Sequence, residues 1–198
     1  RRIWIGALCA ALAFALPPAA CAAAGDFAGT VTVADMAGRR VTAPFDPERI
    51  VCIGTGTLRQ IVYLRAESKV VGVEDYEKSA GGRPSRIAHP ELAALPRCGP
   101  GGPASINRKP DLEALLAVRP QVIFTSYMDA SLADEVQRTT GIPVFVLSYG
   151  PFATFDDTVY DSLRAAGKIL NRGNRAEEVV AYIESMRRDL RARTAEVP

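Results

Sequence analysis

The run Ile50-Val51-Cys52-Ile53, then Gly54-Thr55-Gly56, then Thr57-Leu58-Arg59-Gln60-Ile61-Val62-Tyr63-Leu64-Arg65, decides the fold. Four consecutive apolar residues, mostly β-branched and without polar alternation, are how a strand buried on both faces reads. The glycine-containing turn ends it, and the next segment carries apolar residues at helical spacing. The same unit recurs downstream. Short apolar strands are predicted at 50–53, 69–73, 121–125 and 144–147. Helices are predicted at 57–65, 110–118, 130–140, 155–170 and from Arg175 onward. Pro110 is placed in the first turn of its helix, which stops before Pro120. Asp129 caps 130–140 and Gly141 ends it, while Thr154 and Asn174 are expected to cap the last two helices. Strands alternating with helices predict βαβ units, hence an α/β fold: a doubly wound, mostly parallel sheet with helices on both faces.

Upstream of this unit, Thr30-Val31-Thr32-Val33-Ala34-Asp35 and Arg40-Val41-Thr42-Ala43 flank Met36-Ala37-Gly38-Arg39. Alternating β-branched residues around a glycine turn predict a small β-hairpin. Further upstream, Arg1-Arg2 precedes an almost purely apolar run at 3–16 and then Pro17-Pro18-Ala19-Ala20-Cys21-Ala22-Ala23-Ala24. A positive start, a short apolar run and small residues at the end predict a secretory signal over 1–24. A membrane span would need about 20 apolar residues. Ala19-Ala20-Cys21 also resembles a lipobox, which would anchor the chain by a lipid on Cys21, although Pro18 stands where that motif prefers Leu. Export leaves Cys52 and Cys98 in the mature chain. Either they form a disulfide, or Cys52 acts as a small buried hydrophobe inside its strand.

Composition excludes several functions. The chain has 198 residues, 48% hydrophobic and 23% charged, which fits one globular domain or slightly more. A net charge of +2 with 7% aromatics leaves no nucleic-acid footprint. A single His rules out a multi-His metal site. Gly54-Thr55-Gly56 sits where a dinucleotide fingerprint would, but Arg59 stands at the third glycine position. His89 precedes Pro90 in a loop-like stretch with no nucleophile elbow. Asp156-Asp157 and Glu177-Glu178 fall in helix first turns, where acids complement the dipole. An enzyme has little support.

Ligands of open α/β sheets bind outside the carboxyl ends of the strands. The residues after the four strands are therefore read together: Gly54, Thr55, Gly56 and Thr57; Glu74, Asp75 and Tyr76; Ser126, Tyr127 and Met128; Ser148, Tyr149, Gly150, Pro151 and Phe152. Three of the six tyrosines, Tyr76, Tyr127 and Tyr149, fall on this edge. A phenolate is a hard oxygen ligand suited to ferric iron or haem. A phenol can equally stack on a planar ligand, and aromatics also end strands simply by filling clefts. Arg83 and Arg86, in the loop after Tyr76, are placed to meet an anionic group or to remain solvated. Thr55, Thr57, Tyr76, Arg83, Arg86, Tyr127, Met128 and Tyr149 are the candidate ligand-binding residues.

Several stretches together resemble a known family. Arg49-Ile50-Val51-Cys52-Ile53 and Lys69-Val70-Val71-Gly72-Val73 look like the first strands of the helical-backbone substrate-binding proteins of ABC importers. So do Pro110-Asp111-Leu112-Glu113-Ala114-Leu115, the stretch Leu116-Ala117-Val118-Arg119-Pro120-Gln121-Val122-Ile123 and Thr140-Gly141-Ile142-Pro143-Val144. Gln121 departs from the Asp usual after the basic-Pro pair. The resemblance implies a periplasmic receptor for iron–siderophore, haem, cobalamin or metal ions, monomeric and without a resident cofactor, that delivers its ligand to an inner-membrane permease. Family members have two lobes joined by a long helix, with the ligand in the cleft. The implied division is a signal peptide at 1–24, an extension with the hairpin at 25–48, the N-terminal α/β lobe at 49–173 and the start of the inter-lobe helix at 174–198. The C-terminal lobe would then lie beyond Pro198. Arg83 and Arg86 would reach a siderophore carboxylate or haem propionate, and Glu113 matches a family acid that docks into the permease. An exported single-lobe α/β enzyme is the alternative from another class.

Overall fold

The computed structural model describes residues 29–79, 82–150 and 157–195. The signal segment, Cys21, Pro151, Phe152 and the Thr154 cap lie outside the described residues. Four strands, β3 (Ile50–Cys52), β4 (Val70–Gly72), β5 (Val122–Ser126) and β6 (Val144–Leu147), form a parallel sheet in the order β4-β3-β5-β6. The helices are α1 (Thr57–Tyr63), α2 (Asp75–Ser79), α3 (Pro84–Ala88), α4 (Leu112–Ala117), α5 (Ala130–Thr140), α6 (Thr158–Ile169) and α7 (Gly173–Thr194).

Side chains alternate across each strand, and both faces are dry. Ile50, Cys52, Phe124, Phe145 and Leu147 belong to one apolar cluster with Leu58 and Ile61 of α1, Leu163 and Ile169 of α6 and Val180 of α7. Val51, Ile123, Val144 and Val146 belong to the other, with Leu115 of α4 and Val136 of α5. Phe124 meets Phe145 edge-on, at 6.0 Å between centroids and 65° between planes. This double burial is why the strands read as continuous apolar runs rather than alternating ones. It also answers the cysteine question. Cys52 belongs to the α1/α6 cluster and Cys98 to the α4/α5 cluster, so the sheet lies between them and both thiols are free and buried. Burial pushes both thiols up, Cys98 to about 11.

Two helix starts differ from the sequence reading, and two short helices are additional to it. The helix α4 begins at Leu112, so Pro110 lies ahead of its first turn rather than in it, and the Asp111 carboxylate caps it by accepting the Ala114 N–H at 3.1 Å. The helix α7 begins at Gly173, without a side-chain cap from Asn174. The loop after β4 holds two one-turn helices, α2 and α3, too short to show a period in the sequence. Asp129 caps α5 as expected, accepting the Leu132 N–H at 2.8 Å, and Gly141 ends that helix at φ +70°. At the position where the resembled family carries Asp, Gln121 Oε1 accepts the N–H groups of Glu48 (2.7 Å) and Arg49 (3.0 Å). The amide therefore fulfils the acceptor role at the start of β5.

The predicted hairpin is present as β1 (Thr30–Ala34) and β2 (Arg40–Pro44), antiparallel, with Thr32 opposite Thr42. Its turn covers the open edge of β6. Met36 N–H donates to the Val146 carbonyl at 2.9 Å. The buried Asp35 carboxylate accepts from the N–H of Val146, Ala37 and Arg39 and from the Arg39 guanidinium. Arg39 also donates to the Val144 carbonyl at 2.5 Å and to Asp134 at 2.8 Å. A parallel edge strand otherwise exposes unpaired backbone groups that template aggregation. Asp35→Ala should therefore lower unfolding stability by about 1–3 kcal/mol, because it leaves the buried Val146 N–H without its acceptor while Arg39 keeps Asp134 and the Val144 carbonyl. Urea denaturation would measure this, and Asp35→Asn should cost less.

Candidate functional site

Both faces of the sheet are covered by apolar packing, so polar groups collect where the strands end. Gly54 leaves β3 at φ +80°, and a Cβ there would lie 2.9 Å from the Ser126 carbonyl oxygen. Gly56 follows at φ +85°, where a Cβ would lie 2.7 Å from the Tyr149 ring. The G-x-G spacing thus serves close packing between strand ends, and no nucleotide loop is involved. Ser126 Oγ donates to the Thr55 carbonyl at 2.8 Å and ties the β3 and β5 ends together.

The Gly99-Pro100-Gly101-Gly102-Pro103 loop folds over the end of β4. Asp75 N–H donates to Gly99 O at 2.9 Å and Tyr76 N–H to Pro100 O at 3.0 Å. A Cβ on Gly101 would strike the Glu74 side chain, and one on Gly102 would strike the Tyr76 ring. The loop buries Glu74, whose Oε2 accepts the Gly54 N–H at 3.1 Å. Burial pushes this carboxyl up to about 7, opposed by the Gly54 hydrogen bond. A recess of about 50 Å³ lies here, lined among others by Gly54, Glu74, Lys109, Ser126 and Met128.

A larger cavity of about 200 Å³ opens between α1 and α3. It is lined by Thr55, Gly56, Arg59, Glu77, Arg83, Pro84 and Ser85. Arg83 pairs with the buried Glu77 carboxylate and lays its guanidinium 4.5 Å over the Tyr76 ring. Arg59 lies 4.8 Å over the Tyr149 ring, and its Nε donates to the Tyr149 hydroxyl at 3.4 Å.

The sequence-predicted residues divide. Thr55 and Arg83 line the larger cavity, and Met128 the smaller recess. Thr57 is fully buried at the start of α1. The hydroxyls of Thr55 and Thr57 have no hydrogen-bond partner among the described residues, nor have Nε and Nη1 of Arg86. Tyr76 borders the cavity through Arg83. Tyr127 sits at φ +55° and packs against the α1/α6 core. Tyr149 is 5% exposed, and its hydroxyl donates to the Gly56 carbonyl. Burial raises its phenol to about 12, so it braces the turn beneath Arg59. None of the three tyrosines lines either cavity. Glu113 is exposed in the first turn of α4. Sequence reasoning missed Arg59, Glu77 and Ser85 as lining residues. The one signal for Arg59 was that a charged residue broke the glycine fingerprint. Nothing in the sequence marked Glu77 as buried, because α2 is a single turn.

A family model described as Periplasmic binding protein matches residues 50–198. The molybdate-binding protein MolA of Haemophilus influenzae is 33% identical over 118 residues, 59% of this chain and 31% of that protein. The solved structure of MolA bound to molybdate superposes with a TM-score of 0.71 at 23% identity, over 85% of this chain and 55% of that one. A periplasmic heme-binding protein from Pseudomonas aeruginosa gives 0.52 at 28% identity, over 72% and 45%. The petrobactin-binding protein YclQ from Bacillus subtilis gives 0.63 at 16% identity, over 85% and 55%. The chain spans about half the length of the solved structures that it matches.

The raised Glu74 carboxyl makes stability depend on pH in a defined direction. An ordinary Glu loses its proton near 4.5, whereas the folded protein holds this one to about 7. Between those values the folded state binds more protons than the unfolded chain, so stability falls as pH rises through the window. Glu74→Gln keeps an acceptor for the Gly54 N–H and removes the ionisation. The variant should therefore gain on the wild type across this range, by about 3 kcal/mol at most. Denaturation midpoints from pH 4.5 to 8 measure the difference, and a constant offset between the two proteins would contradict it.

Proposed function

The chain belongs to the periplasmic binding protein family, and from that membership we propose that it is an exported receptor of an ABC importer. It captures its ligand at the carboxyl edge of the parallel sheet and presents it to an inner-membrane permease. The observation that carries the reading is the coincidence of the family match at residues 50–198 with the lobe whose strand ends carry the Arg59–Arg83 cavity. Among the described residues, no helix is long and apolar enough to cross a membrane. The signal at 1–24 is the proposed route of export, with Cys21 as the lipid anchor if the lipobox is used.

The ligand we propose is an iron complex, a ferric siderophore or haem, or a related metal chelate or corrinoid. The arginines support an acidic ligand, because a guanidinium fork matches carboxylate oxygens in pairs. Thr55 and Arg83, joined by Arg59 and Ser85, supply the polar wall, with Tyr76 beside Arg83 as an aromatic contact. Tyr149 supports that wall beneath Arg59, and Thr57, Arg86, Tyr127 and Met128 remain proposed ligand-binding residues outside it. The 33% identity with the molybdate-binding protein favours a second reading, in which the cargo is a small oxyanion. Both readings belong to a binding protein.

Calorimetric titration of the complete gene product tests the reading. Ferric siderophores, haem, cobalamin and molybdate are added in turn, with tyrosine fluorescence as a parallel signal. Saturable binding of one ligand is expected, with an affinity at least about tenfold weaker in Arg83→Ala, equivalent to 1.4 kcal/mol. No saturable binding to any of them would overturn the proposal.

Glu113 gives a separate test of the permease partner. Its carboxylate already complements the α4 dipole, a role worth about 0.3–1 kcal/mol. As a docking residue it should matter for uptake alone. Glu113→Lys is expected to leave ligand affinity unchanged and to abolish most transport, with permease binding weakened by salt in the wild type. Normal uptake by that variant would remove Glu113 from the interface.

A further inference from the structure

The cavity between α1 and α3 carries an unequal set of charges. Its lining includes two guanidinium groups, Arg59 and Arg83, and one carboxylate, Glu77. Among the described lining residues, two positive charges and one negative leave a net single positive charge. The carboxylate is no surface accident. Glu77 is 4% exposed and holds Arg83 directly, although it lies on a one-turn helix at the end of a loop. An unpaired carboxylate at that depth would be costly, and Arg83 compensates it.

The two arginines are held in different ways. Each guanidinium lies over an aromatic ring, at 4.8 Å for Arg59 and 4.5 Å for Arg83. Ring contact fixes the plane of the fork while leaving its edge donors for another partner. Arg83 meets the Glu77 carboxylate, whereas Arg59 meets the neutral Tyr149 hydroxyl at 3.4 Å. Arg59 thus has no carboxylate in direct contact among the described residues, and Glu77 acts on it only through space. Thr55 and Ser85 add hydroxyl-bearing side chains to the same wall, and the Thr55 hydroxyl has no hydrogen-bond partner among the described residues. The space of about 200 Å³ holds a small oxygen anion together with a few waters, at about 30 Å³ each.

We propose that Glu77 is a charge filter: it sets this cavity to accept one singly charged oxygen group, a carboxylate or a tetrahedral monoanion, and to discriminate against dianions. The inference deepens the receptor reading and rests on it, because it assigns the α1–α3 cavity to ligand. Arg59 supplies the neutralising charge and Arg83 supplies donors while remaining paired to Glu77. A second negative charge on the ligand would face the Glu77 carboxylate with no third cation among the described lining residues to offset it. The Glu77 carboxylate is itself buried at the wall, so its charge selects among ligands by sign and number. The natural ligand then brings one singly charged oxygen group into this cavity, which sets the protein apart from a receptor for the molybdate dianion.

Perrhenate and molybdate are tetrahedral oxyanions of similar size that differ by one charge, so they isolate charge from shape. Binding of each to the purified protein is measured by calorimetry at fixed ionic strength. The wild type should bind perrhenate more tightly than molybdate. Glu77→Gln raises the wall to two positive charges and should shift the affinity ratio toward molybdate by about tenfold or more. Glu77→Asp keeps the charge and should keep the wild-type preference. Arg59→Gln changes the wall in the opposite sense and should penalise molybdate more than perrhenate, which preserves the test if Glu77→Gln does not fold. A wild-type preference for molybdate would overturn the charge filter. So would an unchanged ratio in Glu77→Gln, or in Arg59→Gln, or failure of both anions to bind. None of these results depends on transport or on the siderophore, haem and cobalamin titrations, so the receptor reading stands or falls separately.

Discussion

Burial of the parallel sheet on both faces is the constraint from which the rest of the molecule follows. Once Ile50, Phe124 and Phe145 pack toward α1 and α6, and Val51, Ile123 and Val144 toward α4 and α5, both faces are occupied by packed side chains. The chain can place chemistry only where strands end and where helices begin. The same constraint leaves the outer side of β6 as a raw backbone edge, and the Asp35–Arg39 turn of the hairpin closes it. The small N-terminal sheet is therefore part of the lobe's structural solution.

At the carboxyl edge, close approach replaces side-chain bulk. Gly54 and Gly56 let the β3 turn press against Ser126 and Tyr149, and Gly101 lets the next loop settle on Glu74. One consequence is electrostatic. A carboxyl enclosed by backbone loses hydration, and a single N–H from Gly54 does not restore it, so its proton is held toward neutrality. Another is geometric. Tyr149 is consumed in bracing Gly56 and Arg59, which leaves the guanidinium rather than the phenol facing the cavity.

Acid and base are thus sorted over a short stretch of chain. Glu74 is turned to the Gly54 backbone and the small recess, while Glu77 is turned to Arg83 and the larger cavity. The receptor reading needs a wall that recognises a soluble ligand through a few oriented donors, and paired guanidiniums over aromatic rings meet that need. The known binders among similar proteins span molybdate, heme and petrobactin, so one lobe architecture serves ligands of very different size and charge. Discrimination among them has to lie in the side chains at the strand ends.

The sequence by itself determined the sheet. Short runs such as 50–53 and 144–147 are apolar throughout because both of their faces are dry, and that local pattern survives without knowledge of partners. Asp129, Gly141 and the hairpin turn were legible for the same reason, since capping and turn chemistry act within a few residues. The edge that gathers Gly54, Glu74, Ser126 and Tyr149 followed from the topology of parallel strands. Which side chains line the cavities was decided only by tertiary structure. Tyr149 turned inward because Gly56 made room for its ring. Cys52 and Cys98 stayed apart because the sheet separates them. Glu77 and Arg59 entered the wall because loop packing, acting between residues distant in the chain, buried one and oriented the other. Local sequence patterns record the periodicity of an element, whereas a site is set by contacts between elements.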